Sequence, residues 1–336
     1  MTTPPPSPIP FFEALNAYQR TEALKAAIEL DLFTAIARSA GTVPEVAQRC
    51  GAAERGVRML CDLLTINGLL LKTGARYACT LDSATFLVRT SPAYLGATVE
   101  FMLSGELVDG FRDLAGAVRK GGTTLSAKGT MEQQHPVWVK FARVMGPMMA
   151  MSAGMIAELA DPRADRPIRV LDIAAGHGLF GLAFAKRNAQ AQIVSQDWAP
   201  VLDVAQEHAR NAGLADRFST LPGDAFQVEL GEGYDVVLLT NFLHHFDAPT
   251  CETLLHRVAR SLKPSGVAVT LEFVPNDDRV TPPPAARFAS VMLATTAAGD
   301  AYTFSEYEAM FRNAGFVRST LHSVPDNTQS VILSMR

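Results

Sequence analysis

Two imidazoles stand side by side in Asn241-Phe242-Leu243-His244-His245-Phe246-Asp247, directly after the apolar run Tyr234 to Thr240. Such a run reads as a buried strand, and a polar cluster at its end is where an open sheet exposes reacting groups. Free histidine has a pKa of about 6.5, so a neutral ring is available near neutrality to take a proton from a hydroxyl. A second run, Val267 to Phe273, carries Glu272 near its end. A carboxylate there can orient an imidazole and stabilise the imidazolium that proton transfer creates. The catalytic candidates are therefore His244, Glu272 and His245, with either ring able to be the base. A separate constellation lies upstream, where Ile168 to Ala174 runs into a loop whose Gly176, Gly178 and Gly181 match G-x-G-x-x-G. Small residues let the backbone approach a ligand, and a following helix offers free N–H groups. Asp197, followed by Trp198, comes about twenty residues later, at the distance suited to accepting both hydroxyls of a ribose. Gly223-Asp224-Ala225-Phe226 follows another run and sets a carboxylate and an aromatic face near a flat base. Asp172, late in the first strand, can retain a cationic group.

These residues need a scaffold, and the second half of the chain reads as one. Candidate strands are 168–174, 192–197, 218–222, 234–240 and 267–273, separated by helices near 179–187, 201–212 and 251–262. Apolar strands alternating with helices predict a mostly parallel sheet covered on both faces, with ligands beyond its C-terminal strand ends. The first half differs. Residues 11–33 repeat apolar positions at helical spacing, Thr42 with Glu45 forms a capping box for a second helix, and a third spans about 54–66. A hairpin with strands at 69–71 and 76–81 follows, which makes a small winged-helix unit. Its apolar stretch Leu24 to Phe33 is expected to form a partner surface. Residues 91–160 hold amphipathic helices, among them a Met-rich stretch that suits either a plain core or an adaptable wall around a flat ligand. The linker 161–167 then leads into the sheet. Expected boundaries are thus 11–90, 91–160 and 161–336.

Composition narrows the classes. Of 336 residues 48% are hydrophobic and 19% charged, which excludes a wholly disordered chain. The formal net charge of -4 argues against a general nucleic-acid coat. The four cysteines are scattered without metal-ligand spacing, and no metal is expected. The N-terminus reads as a loose proline-rich leader without a signal-peptide pattern, and no run reaches membrane-spanning length. A cytoplasmic location is expected.

Both a nicotinamide dinucleotide and S-adenosylmethionine would use the glycines and Asp197. Only the second also uses Asp172 and the Gly223–Phe226 element, so S-adenosylmethionine, leaving as S-adenosylhomocysteine, is the expected cofactor. At this point the sequence resembles the class I S-adenosylmethionine-dependent small-molecule O-methyltransferases of the caffeic-acid and hydroxyindole type. The resemblance rests on LDIAAGHG, QDWAPV, GDAF, the segment from Thr240 to Phe273, and YTFSEYEAMFRNAGF, and covers about residues 11 to 336. It implies a Rossmann-like α/β domain behind an N-terminal helical winged-helix dimerisation domain, and a homodimer through that domain.

The resemblance also assigns roles. His244 occupies the place of the family's catalytic histidine, while His245 and Phe246 replace the usual Asp and Trp. Glu272 matches one of two expected glutamates. The other position reads Ala301, leaving open whether neighbouring Asp300 substitutes. Candidates to surround an aromatic or polyketide-like acceptor are Phe141, Met145, Met149, Asn241, Phe288 and Met292. His177 is expected to shape the glycine loop or approach the cofactor, whereas His208 and His256 have no evident partners. The expected reaction is methylation of a hydroxyl on a hydrophobic small molecule. The rivals are methylation at carbon, other chemistry on a retained cofactor, a nicotinamide-dependent oxidoreductase and a winged-helix DNA-binding regulator.

Overall fold

A computed structural model describes residues 5–336 apart from 162, 325 and 326. The first four residues of the leader and Pro162 of the linker thus lie outside the described residues. The chain divides into two compact units, Met1–Val99 and Glu100–Arg336.

In the first unit the capping box forms, with the Thr42 N–H donating to Glu45 Oε2 at 2.7 Å, and the helix Val43–Cys50 ends at Gly51 in the left-handed region (φ 61°). A three-stranded sheet of β1 (Gly41–Thr42), β2 (Leu70–Thr73) and β3 (Arg76–Cys79) forms the wing, in the order β1-β3-β2. Strand β3 is shorter than expected because Thr80 caps the next helix, accepting from the Ser83 N–H at 3.2 Å. The helix expected over residues 11–33 is two helices, Ile9–Glu29 and Leu32–Ala37, broken at Asp31 (φ 50°). The break lets Leu32, Phe33 and Ile36 sink into the unit's core with Val57, Leu64 and Tyr77. Leu32 and Phe33 are accordingly withdrawn from the expected partner surface, while Leu24 and Ile28 stay half-buried. A run of exposed apolar residues precedes it, with Phe11, Phe12, Leu15 and Tyr18, and Leu30 within it is exposed as well. Among the described residues no helix is long and apolar enough to cross a membrane.

The second unit is built on a seven-stranded sheet. Strands β4 (Ile168–Ile173), β5 (Ala191–Asp197), β6 (Phe218–Pro222), β7 (Tyr234–Thr240) and β8 (Leu262–Glu272) run parallel. Strands β9 (Arg318–Ser323) and β10 (Ser330–Met335) close one edge antiparallel, giving the order β6-β5-β4-β7-β8-β10-β9. The strand alternation splits the core. Leu171, Ile173, Val237 and Leu239 pack with Leu254 and Phe311 on one face, and Val170, Val236, Leu238 and Val269 with Ile156 and Phe180 on the other. Strand order reverses between β4 and β7, so the loops after these strands diverge and open a crevice.

Candidate active site

The crevice at the reversal point holds a cleft of ≈ 370 Å³, within the range of small-molecule sites. Its walls come from every strand end that faces it: Ala174 after β4, Gln196 and Asp197 on β5, then Trp198, Gly223–Phe226 after β6, and Phe242, His245, Phe246 and Asp247 after β7. Lys128, Met131, Glu132, Trp138, Ala297 and Ala298 close it from above. Of the cofactor candidates, Asp197, Trp198, Gly223, Asp224, Ala225 and Phe226 line this cleft.

The others shape it from behind. Ala174, Gly176 and Gly178 all adopt positive φ (52°, 56° and 70°), so the chain curls tightly as it leaves β4. The Gly176 N–H donates to Asp197 Oδ2 at 2.9 Å and the Trp198 N–H to Oδ1 at 2.7 Å, which fixes the carboxylate between the two loops. Burial pushes Asp197 up to about 6, against those two hydrogen bonds. Gly181 is required by packing, since a Cβ there would lie 2.7 Å from Ile193 Cγ2. Its N–H donates to Asp172 Oδ2 at 3.0 Å, and Asp172 Oδ1 is buried without a partner among the described residues. Desolvation raises Asp172 to about 8. Gln196 was not anticipated: its Nε2 donates to the Gly223 carbonyl at 2.6 Å, while the Ala174 N–H reaches its Oε1 at 3.4 Å. It thus stitches two walls together, and its one sequence signal was adjacency to Asp197.

Phe226, Phe242 and Phe246 cluster with centroids 5.0 to 6.4 Å apart, two pairs edge-to-face and one tilted, and give the cleft an aromatic wall suited to a flat base. Asp224 accepts from the Phe226 N–H at 2.9 Å, holding that ring in place. An aromatic wall, a carboxylate at ribose distance, a tightly curled loop and the buried Asp172 oxygen together fit S-adenosylmethionine.

Beside the cleft, Glu272 is fully buried and anchors the turn after β7. Its Oε1 accepts the N–H groups of Phe242 and Leu243 at 3.0 Å and of His244 at 3.4 Å. Its Oε2 pairs with His244 Nδ1. A carboxylate that already accepts three N–H groups leaves Nδ1 as the donor, so the neutral ring keeps its lone pair on Nε2. His245 instead lines the cleft, its ring 5.1 Å from Trp138 and 4.2 Å from His244. Desolvation, with His244 adding to it, holds His245 well below the usual histidine range.

Asp300 does not take the place of a second glutamate. Its Oδ2 pairs with Arg279 at 3.1 Å, its Oδ1 accepts from the Ala301 N–H, and only its backbone N–H reaches the turn, at the His244 carbonyl. Ala301 itself is buried. Phe288 lies 4.8 Å from the His244 ring and stacks on Phe273 at 3.9 Å. Phe141 stacks on His177 at 5.9 Å and covers Gly176. Met145 and Met149 belong to the apolar core against the sheet and Met292 is buried on the helix Pro283–Thr295; none of the three lines the cleft. His177 is buried in the glycine loop, and His208 has a partner after all, the His177 carbonyl at 2.9 Å.

Residues 111–317 match the O-methyltransferase domain family and residues 12–89 the O-methyltransferase dimerisation domain. The chain belongs to the O-methyltransferase family. It is an S-adenosylmethionine-dependent enzyme with a Rossmann-like core and a dimerisation domain, acting on small hydrophobic molecules. It is similar to 3-hydroxy-5-methyl-1-naphthoate 3-O-methyltransferase of Streptomyces sahachiroi, 29% identical over 299 residues covering 88% of this chain and 86% of that one. The 8-O-methyltransferase TcmO of tetracenomycin polyketide synthesis in Streptomyces glaucescens is 26% identical over 92% of both chains. A candidate O-methyltransferase from Nostoc punctiforme PCC 73102 superposes with a TM-score of 0.96 at 52% identity, covering 99% of this chain and 100% of that one.

Proposed function

We propose that this O-methyltransferase methylates a hydroxyl of an aromatic, polyketide-like small molecule, with His244 as general base and Glu272 as the residue that positions it. The observation that carries the reading is the buried Glu272 carboxylate, which binds three backbone N–H groups of the turn and His244 Nδ1 at once. When bound, S-adenosylmethionine supplies an electrophilic methyl group on a sulfonium. Asp197 would hold its ribose, the phenylalanine wall its adenine, and Asp172 its ammonium group. His244 Nε2 takes the hydroxyl proton, and Glu272 stabilises the resulting imidazolium through Nδ1. His245, kept neutral by burial, is a wall of the cleft and a weak base. By name, one Streptomyces relative methylates a hydroxylated naphthoate and the other acts in tetracenomycin polyketide synthesis, which supports the acceptor class. Exposed Phe11, Phe12, Leu15 and Tyr18 on the dimerisation domain support a homodimer.

The test is transfer of a labelled methyl group to a panel of phenols and naphthols, with the product identified by mass and by loss of the free hydroxyl. O-methylated product is expected. A carbon-methylated product, or none across the panel from protein that binds S-adenosylhomocysteine, would refute the reading.

A further inference from the structure

The C-terminal hairpin β9–β10 does more than cover the sheet edge. Ser330 pairs with Glu272 across β10 and β8, which places Gln329 beside the catalytic turn. Gln329 is buried, its N–H donates to Asn327 Oδ1 at 3.1 Å, and Asn327 Nδ2 donates to the buried Ser152 Oγ at 2.7 Å. Asn327 thus ties the Gln329 backbone to the Met-rich helix Gly146–Ala160. Its Nε2 donates to Asn241 Oδ1.

That bond decides which way the Asn241 amide faces. With Oδ1 committed to Gln329, the NH₂ group points the other way, and Asn241 Nδ2 is buried with no partner among the described residues. A buried donor left unpaired is costly, and here it sits on a residue held at φ 56°, where Asn is tolerated better than most side chains. Asn241 follows β7 directly and immediately precedes the turn gripped by Glu272. An unpaired donor on strained backbone next to the reacting base is the mark of a ligand contact.

We infer that the Asn241–Gln329 pair is an acceptor-recognition site: Asn241 Nδ2 donates to a second oxygen of the acceptor, and Gln329 is the positioning residue that aims it. This rests on the reading given under Proposed function and narrows its substrate class to hydroxylated rings that also carry a carbonyl-type oxygen. A site that hydrogen-bonds one oxygen discriminates against the ring lacking it, because the donor then stays unpaired.

The experiment compares 1-naphthol with hydroxy-acetonaphthone isomers, using calorimetric binding to protein saturated with S-adenosylhomocysteine, alongside labelled methyl transfer. Wild type is expected to bind at least one acetyl-bearing ring about tenfold or more tighter than naphthol. Asn241→Asp keeps the acceptor for Gln329 and tolerates the backbone, but removes the donor. Gln329→Glu turns the Asn241 amide over, because Glu accepts where Gln donates. Both variants should lose the preference while binding S-adenosylhomocysteine as wild type does. The proposal is overturned if no isomer is preferred, if the preference survives both substitutions, or if the variants lose S-adenosylhomocysteine affinity with the preference intact, which would assign the amide to the cofactor. Methylation of naphthols without any preference would sink this inference alone. Absence of both binding and methylation of every ring would sink it together with the proposed function.

Discussion

Replacing Glu272 by Gln keeps the shape of the side chain and changes one end from acceptor to donor. The three backbone N–H groups at 3.0, 3.0 and 3.4 Å hold an acceptor at the Oε1 position, so the new amide nitrogen must face His244 Nδ1. Nδ1 then has to accept, the ring proton moves to Nε2, and the base has no lone pair for the acceptor hydroxyl. General-base assistance contributes about 10²- to 10⁴-fold, and kcat for a weakly acidic phenol should fall by that range. S-adenosylhomocysteine affinity should change by no more than about twofold, because Glu272 does not line the cofactor cleft. With a phenol acidic enough to ionise unaided, the loss should shrink to about tenfold or less, since alignment in a dry site then supplies the remaining acceleration. Glu272→Ala is the poorer probe, because each buried donor left unpaired costs about 1–3 kcal/mol and the turn itself would loosen. The assay is labelled methyl transfer across phenols of graded acidity, with folding checked by thermal melting. Folded E272Q that turns over the weakly acidic phenol within about threefold of wild type would refute the base mechanism.

Three other substitutions test neighbouring parts of the argument. Asp197→Ala should weaken S-adenosylhomocysteine binding by about 10²-fold in calorimetry, the loss expected for charge-assisted bonds to two hydroxyls. In wild type, binding should tighten as pH rises through about 6, where the Asp197 carboxylate ionises, and this pH dependence should vanish in D197A. Gly299→Ala would place a Cβ 2.3 Å from the His244 carbonyl oxygen, about 1 Å inside ordinary contact, and a shift of that size in the base costs about 10²-fold in kcat. Unchanged kcat in folded G299A would show that the turn yields without moving the imidazole. Asp172, raised to about 8 when folded, binds its proton more tightly than the unfolded chain, so the unliganded protein should lose stability as pH climbs from about 4 to about 8. Asp172→Asn is neutral throughout and should flatten that part of the melting profile; identical slopes would assign it to other groups.

The strand expected over 168–174 and the glycine loop after it are legible because local chemistry dictates them: an apolar run ends where Gly176 and Gly178 adopt backbone that other residues resist. β6 and β7 have the boundaries their apolar runs suggest. Strand β9 is not legible in the sequence because it lies at an open edge, where its residues are exposed or half-buried and no apolar run marks the strand. Met145 and Met149 illustrate a different limit. A methionine at helical spacing suits a core and a ligand wall equally, and only the packing of the helix Gly146–Ala160 against Leu179–Arg187 and the sheet places them inside.

The amino-acid sequence by itself determined that Asp197 and Gly223–Phe226 line one cleft, since they sit at strand ends and a parallel sheet brings such ends to one edge. What the groups can do was decided by contacts between distant segments. Glu272 reaches a turn some thirty residues back and selects the tautomer of His244. Arg279 draws Asp300 away from the imidazole across twenty-one positions, and Gln329 sets the Asn241 amide across eighty-eight. Hydrogen-bond direction depends on the partner that arrives in space, and no local pattern of residues records it.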